Sequence, residues 1–273
     1  MGNSYSKEDA VHDPIIDQRN LESLRSYLRS YNPPRECVGG YLNILLFGLV
    51  GAGKSSTINT FFSALDREGR TANIAPWSSS DRSFTPELWS FTPETLKFRF
   101  WDAPGLSSKD YEKNAEKILT MILDGRLPPG TKIKDLDPDL ECKYPVTEEN
   151  KIHGVAFVFN LETVDNLSAD VLNEFRKLQA LVGQKYLYRI VIGTHFDQIG
   201  IPKSHEAYIY QYKRLQEKFS QLSEDIKMDK RVMFAISNDL KGGHIEITKA
   251  VLALYALENM VRNLDLFFRV THQ

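Results

Sequence analysis

Apolar residues recur along this chain in two rhythms, short unbroken runs and stripes spaced three or four residues apart. The runs at 41–47, 154–159, 188–193 and 232–236 read as buried strands, and 88–91 and 96–101 alternate as a strand pair. Stripes over 14–31, 56–62, 109–123, 168–182, 205–220 and 245–268 read as helices. The first carries Leu21, Leu24, Leu28 and Tyr31, with Asp13-Pro14 suited to its start and Pro33-Pro34 to its end. The last carries Ile247, Val251, Leu254, Leu257, Val261, Leu264 and Phe268. Between them, 125–150 is polar and proline-containing, and reads as a surface insertion. Strands alternating with helices predict an α/β fold, a mostly parallel central sheet with helices on both faces and an extra helix at each end. The division expected is an arm and amphipathic helix over 1–37, docked on one domain over 38–273.

Composition narrows the function classes. A formal net charge of −2 over 273 residues argues against nucleic acid as a partner, because phosphate backbones demand a basic surface. The two cysteines, Cys37 and Cys142, have no metal-ligand spacing and suit a reducing compartment, so a cytoplasmic setting is expected. Asp135-x-Asp137-x-Asp139 is excluded as a calcium loop by Leu140 where glycine is needed and Val146 where glutamate is needed. The opening Met1-Gly2-Asn3-Ser4-Tyr5-Ser6 fits an N-myristoylation pattern on Gly2. With no second cysteine nearby and Glu8, Asp9 and Asp13 following, weak reversible membrane association is the most it would give.

The strongest chemical signal follows the first strand. Gly48-Leu49-Val50-Gly51-Ala52-Gly53-Lys54-Ser55 obeys G-x-x-x-x-G-K-[ST] in the strand–loop–helix setting that motif needs. The loop Gly48, Gly51, Ala52 and Gly53 leaves backbone N–H groups free to curl around a phosphate. The helix that starts near Ser56 adds its N-terminal donors and positive dipole end. Lys54 would reach the outer phosphates and act catalytically on them, and Ser55 would ligate Mg²⁺.

Other segments complete such a site. Asp102-Ala103-Pro104-Gly105 ends a strand on D-x-x-G, where the carboxylate can hold Mg²⁺ and the Gly105 amide can sense a γ-phosphate. Thr194-His195-Phe196-Asp197 ends a later strand. Guanine presents two adjacent donors that one carboxylate accepts together, so Asp197 is either the base reader or the cap of a turn. The His195 imidazole would stack on the purine. Ser237-Asn238 would bring a backbone amide to the base carbonyl. Among Ser78, Ser79, Ser80, Ser83 and Thr85, Thr85 is the expected second Mg²⁺ hydroxyl, with a catalytic role.

These segments, with 46–56, Leu106-Ser107, 152–160 and 236–238, resemble the interferon-induced protein 44 family of GTP-binding proteins in order and spacing over roughly 38–265. The resemblance implies a P-loop, Ras-like G domain, GTP or GDP with Mg²⁺ as ligands, and an interferon-responsive, antiviral setting. Longer members carry a further N-terminal domain, where this chain has a short arm.

Hydrolysis is a separate question. Small GTPases place a glutamine directly after D-x-x-G; Leu106 cannot orient water, and Val50 adds a side chain in the loop. Two readings follow: a guanine-nucleotide switch with slow or assembly-stimulated GTPase activity, completed by a homodimer or protein effector, or a GTP-stabilised interaction module without turnover. A third is an ATP-binding P-loop protein such as a small kinase, which would need an arginine-rich lid, yet 125–150 holds only Arg126.

Overall fold

The first strand, β1 (Leu42–Gly48), is buried along its whole length, as a central parallel strand must be when helices cover both faces. Its Leu42, Ile44 and Leu46 enter one core and Leu45 and Phe47 the other. The computed structural model describes residues 10–75, 87–93, 96–106, 114–137, 143–238 and 243–271. Gly2, Ser78, Ser79, Ser80, Ser83, Thr85 and Cys142 lie outside that set.

Around β1, the strands β2 (Glu87–Phe91), β3 (Phe98–Asp102), β4 (Thr131–Lys132), β5 (Gly154–Asn160), β6 (Tyr188–Thr194) and β7 (Met233–Ala235) form one sheet in the order β4-β2-β3-β1-β5-β6-β7. β3, β5, β6 and β7 run parallel to β1, while β2 pairs antiparallel with both β3 and β4. Helices α1 (Gln18–Ser30), α2 (Lys54–Leu65) and α6 (Ile247–Thr271) cover one face, and α3 (Ala115–Leu123), α4 (Ala169–Gln184) and α5 (Lys213–Ile226) the other. This is the expected α/β architecture, a mostly parallel sheet wrapped by helices on both sides.

The first helix begins later than Asp13-Pro14 suggests. Asp17 caps it, its carboxylate accepting the Asn20 N–H at 2.6 Å. The stripe of Leu21, Leu24 and Leu28 is buried, so α1 docks. Its arginines bind carbonyls at the end of α2: Arg25 Nε donates to Ala64 O at 2.8 Å, and Arg29 donates to Leu65 O. That satisfies carbonyls which a helix end otherwise leaves unpaired.

Two more expectations need correction. The helix expected over 205–220 is a 3-10 stretch, Lys203–Gln211, followed by α5. Burial of Ile209 and Tyr210 imposes the break, and the Tyr210 hydroxyl accepts the Ala235 N–H of edge strand β7 at 3.0 Å. The insertion at 125–150 is more than surface, since β4 extends the sheet and Leu127 and Ile133 are buried. Its tail is tied to the amino end of β1 by Asn43 Nδ2, which donates to Glu149 O and Lys151 O at 2.9 and 2.7 Å.

Two histidines, His12 buried and His153 half-buried, make the fold acid-sensitive. His12 stacks on Phe234 with centroids 4.6 Å apart, and burial lowers its pKa to about 4 against the pull of the Met233 carbonyl. His153 is likewise held at about 4, by burial and then by Lys151, and its Nδ1 accepts the Asn43 N–H at 2.8 Å. Both are neutral in the folded chain, whereas the unfolded chain takes up protons below about pH 6.5. Their contribution is therefore full above about pH 6.5 and lost as pH falls through about 4, on the order of 2–3 kcal/mol each. Urea midpoints should fall steadily over that window, and the fall should be shallower in His12→Gln. An identical pH profile for that variant would contradict the assignment.

Candidate functional site

The carboxyl ends of β1, β3, β6 and β7 gather at one end of the sheet, where ligands bind in open α/β folds. β1 ends on Gly48, where a Cβ would lie 2.2 Å from Val158 O, so the chain can leave the strand there only without a side chain. Gly51 and Gly53 take φ of 75° and 90°, the left-handed region that favours glycine. Gly53 precedes α2 with no side-chain cap, so the helix starts directly from the loop without a side chain covering its first turn, as an anion site at a helix N-terminus requires.

Lys54 is buried at the mouth of this loop. Its Nζ donates to Gly48 O at 3.2 Å and Leu49 O at 3.0 Å, which leaves one of three N–H bonds for a ligand. Burial lowers its pKa to about 8, opposed by the carboxylate of Asp102. Asp102 is itself fully buried, and burial raises its pKa to about 6, against Lys54 and then the Ser55 hydroxyl. Ser55 Oγ donates to Asp102 Oδ2 at 2.5 Å, while Asp102 Oδ1 has no hydrogen-bond partner among the described residues. A buried carboxylate oxygen left open beside a hydroxyl is a donor set for a hard divalent cation, so these residues fit Mg²⁺.

The base-side segments are bonded directly to the phosphate loop. Thr194, buried at the end of β6, donates through Oγ1 to Ala52 O at 2.7 Å. The same oxygen lies 2.8 Å from His195 Nδ1. It also lies 3.2 Å from Phe159 O, so the Thr194 hydroxyl ties β5, the phosphate loop and the His195 ring together. His195 holds φ at 58°, a left-handed conformation unusual outside glycine. Asp197 Oδ1 accepts from Ser237 Oγ at 3.1 Å and Oδ2 from Gln198 Nε2 at 2.6 Å. The carboxylate is thus steadied from both sides, with a lone pair left on each oxygen.

Asn238 carries a side-chain role beyond the expected backbone amide. Its side chain turns back onto α2, where Nδ2 donates to Gly53 O at 3.2 Å and Oδ1 accepts from Thr60 Oγ1 at 2.8 Å. It is a strut between base loop and phosphate-loop helix. Sequence reading missed that partner side. Thr57, Asn59, Thr60 and Ser63 form a buried polar set inside α2, and Asn59 clasps 74–75 by accepting both N–H groups at 2.8 Å. So many poor helix formers in one short helix was the available signal.

The structure therefore brings together Gly48, Gly51, Ala52, Gly53, Lys54, Ser55 and Ser56 with Asp102 and Gly105, and beside them Thr194, His195, Asp197, Ser237 and Asn238. Thr85 falls outside the described residues. Thr194→Val, which keeps the shape and removes the hydroxyl, is expected to lower the unfolding free energy by about 1–3 kcal/mol, read as a urea midpoint shift. An unchanged midpoint would contradict a structural role for the Thr194–Ala52 bond.

No family model matches this chain. Curated relatives do: it is 23% identical over 270 residues to interferon-induced protein 44 of Homo sapiens, which covers 92% of this chain and 60% of the relative. It is 24% identical to the human interferon-induced protein 44-like over 95% of this chain and 61% of that one. The chain thus spans about three-fifths of the length of the relatives it matches. Among solved structures, a dimerization-deficient mutant of Toc33 from Arabidopsis thaliana aligns at TM-score 0.46 and 16% identity, covering 90% of this chain and 93% of that one. A probable GTP-binding protein engB aligns at TM-score 0.45 and 14% identity, over 81% and 97%.

Proposed function

We propose that this chain is a guanine-nucleotide-binding P-loop protein that works as a slow switch in an interferon-linked, antiviral response. The observation that carries the reading is the convergence of Lys54, Ser55, Asp102 and Asp197 at one sheet end, with Thr194 bonding base segment to phosphate loop. Lys54 and the N–H groups of the loop and α2 bind phosphate, Ser55 and Asp102 hold Mg²⁺, and Asp197 reads guanine while His195 stacks on it. Bound Mg²⁺ would neutralise charge on the outer phosphates. The names of the relatives support the setting; a cytoplasmic location, membrane contact through Gly2, and a homodimer or effector are further parts of the proposal.

Turnover by the isolated chain is expected to be slow. Leu106 is 6% exposed and its side chain lies in the apolar core, so the residue directly after Gly105 offers no polar group to position water. Titration with fluorescent GTP and ATP analogues in Mg²⁺ tests the reading, with GTP expected to bind at least tenfold tighter, about the worth of one matched polar contact. Equal affinities would return the protein to an unassigned P-loop class. Single-turnover phosphate release should accelerate with protein concentration; a flat, negligible rate would favour the interaction-module reading.

A further inference from the structure

The D-x-x-G segment rests on the phosphate loop itself. The parallel β1–β3 ladder pairs Leu46 with Asp102, and pairing resumes beyond both strand ends in a bridge between Leu49 and Leu106. Leu106 N–H donates to Gly48 O at 3.0 Å, and Val50 N–H donates to Leu106 O at 3.2 Å. Gly105 is pressed against Val50, since a Cβ there would lie 2.6 Å from both the Val50 N and Cα. Gly48 O thus holds the Leu106 amide and the Lys54 ammonium together.

This contact bears on how many phosphates fit. On the guanine-nucleotide reading, Ser55 and Asp102 would hold Mg²⁺ beside the outer phosphates, which would put a γ-phosphoryl group on the Asp102–Gly105 side of the loop. The Gly105 amide can meet that group only if the segment stands off the loop by its width. Here the segment touches the loop and fastens to it through two backbone hydrogen bonds. The β-phosphate position differs, because it is served by N–H groups at the start of α2 that this contact does not use.

We propose that the Leu106 backbone is a specificity-determining latch: the resting site accepts a nucleoside diphosphate, and a γ-phosphate enters only when Leu106 releases Gly48 and Val50. The inference rests on the guanine-nucleotide reading above. It makes loading with triphosphate and movement of the D-x-x-G segment one event. Two backbone hydrogen bonds of ordinary strength correspond to about 10–50-fold in relative affinity.

The test is equilibrium binding of fluorescent GDP and of a non-hydrolysable GTP analogue to the full chain. Two variants accompany it: Leu106→Pro, which deletes the latch donor, and Leu49→Cys/Leu106→Cys, which can be cross-linked. Expected are a preference for the diphosphate of about 10–50-fold in the unaltered protein, the same worth of two hydrogen bonds, and a ratio near one in Leu106→Pro. Oxidised Leu49→Cys/Leu106→Cys should keep diphosphate binding and lose the triphosphate, and thiol reduction should restore it. Equal binding of both nucleotides by the unaltered protein, or triphosphate binding undiminished by the cross-link, overturns the latch and leaves the nucleotide reading standing. Cysteines that fail to pair in the folded protein also contradict the latch. No binding of either nucleotide overturns the nucleotide reading with it.

Discussion

Asp197→Asn is expected to exchange the base preference of this protein, weakening GTP by about 10²–10³-fold and making xanthosine triphosphate the better ligand. The magnitude follows from removing a charged acceptor of two hydrogen bonds, each worth about 1.5–3 kcal/mol. An asparagine amide offers one donor and one acceptor, which suits xanthine, where a carbonyl replaces the exocyclic amine. Local geometry should survive the change. Asn Oδ1 can keep the Ser237 bond, and the Gln198 amide can rotate to accept from the new Nδ2. Competition binding with the two triphosphates reads the outcome. If both affinities stay as in the unaltered protein, Asp197 is a turn cap, and base recognition lies elsewhere.

The site was legible where chemistry and backbone geometry coincide in one short stretch. Glycines at Gly48, Gly51 and Gly53 are demanded by a 2.2 Å approach to Val158 O and by positive φ, and Lys54-Ser55 follows at fixed spacing. Asp102 and Thr194 were legible because each ends an apolar run, and such runs become parallel strands whose ends share one edge. What failed was whatever depends on a partner far along the chain. Nothing local tells that Tyr210 must leave the helical path to cap β7 through Ala235, or that Asn238 turns toward Thr60. Likewise Leu106 reads as a missing glutamine, while its backbone, which sequence does not display, contacts Gly48 and Val50. The start of α1 slipped because Asp13 and Asp17 are equally good caps in sequence, and Asp17 is the one whose carboxylate meets a first-turn N–H.

Lys54→Ala should abolish the response to nucleotide while leaving a folded protein. In the unaltered chain, GTP and Mg²⁺ at a hundred times the dissociation constant add about 2.7 kcal/mol, which for a domain of this size raises Tm by roughly 5–10 °C. The variant removes a cation in direct contact with the loop, and charge-assisted bonds to phosphate are among the strongest available. Affinity should fall on the order of 10²-fold or more, so the same ligand concentration gives almost no shift. The apo fold has less at stake. Lys54 spends two N–H bonds on carbonyls that also accept from Leu106 and Ala52, so neither oxygen is left bare by its removal. The desolvation that pulls its pKa down to about 8 disappears with it, while Asp102 loses its neighbouring cation and shifts further toward the protonated carboxyl. Differential scanning fluorimetry with and without GTP and Mg²⁺ separates these effects in one run. An apo Tm close to that of the unaltered chain with no ligand shift fits a phosphate-binding lysine. A full ligand shift in the variant would mean that the loop does not hold phosphate through Lys54, and the nucleotide reading of this site would fall.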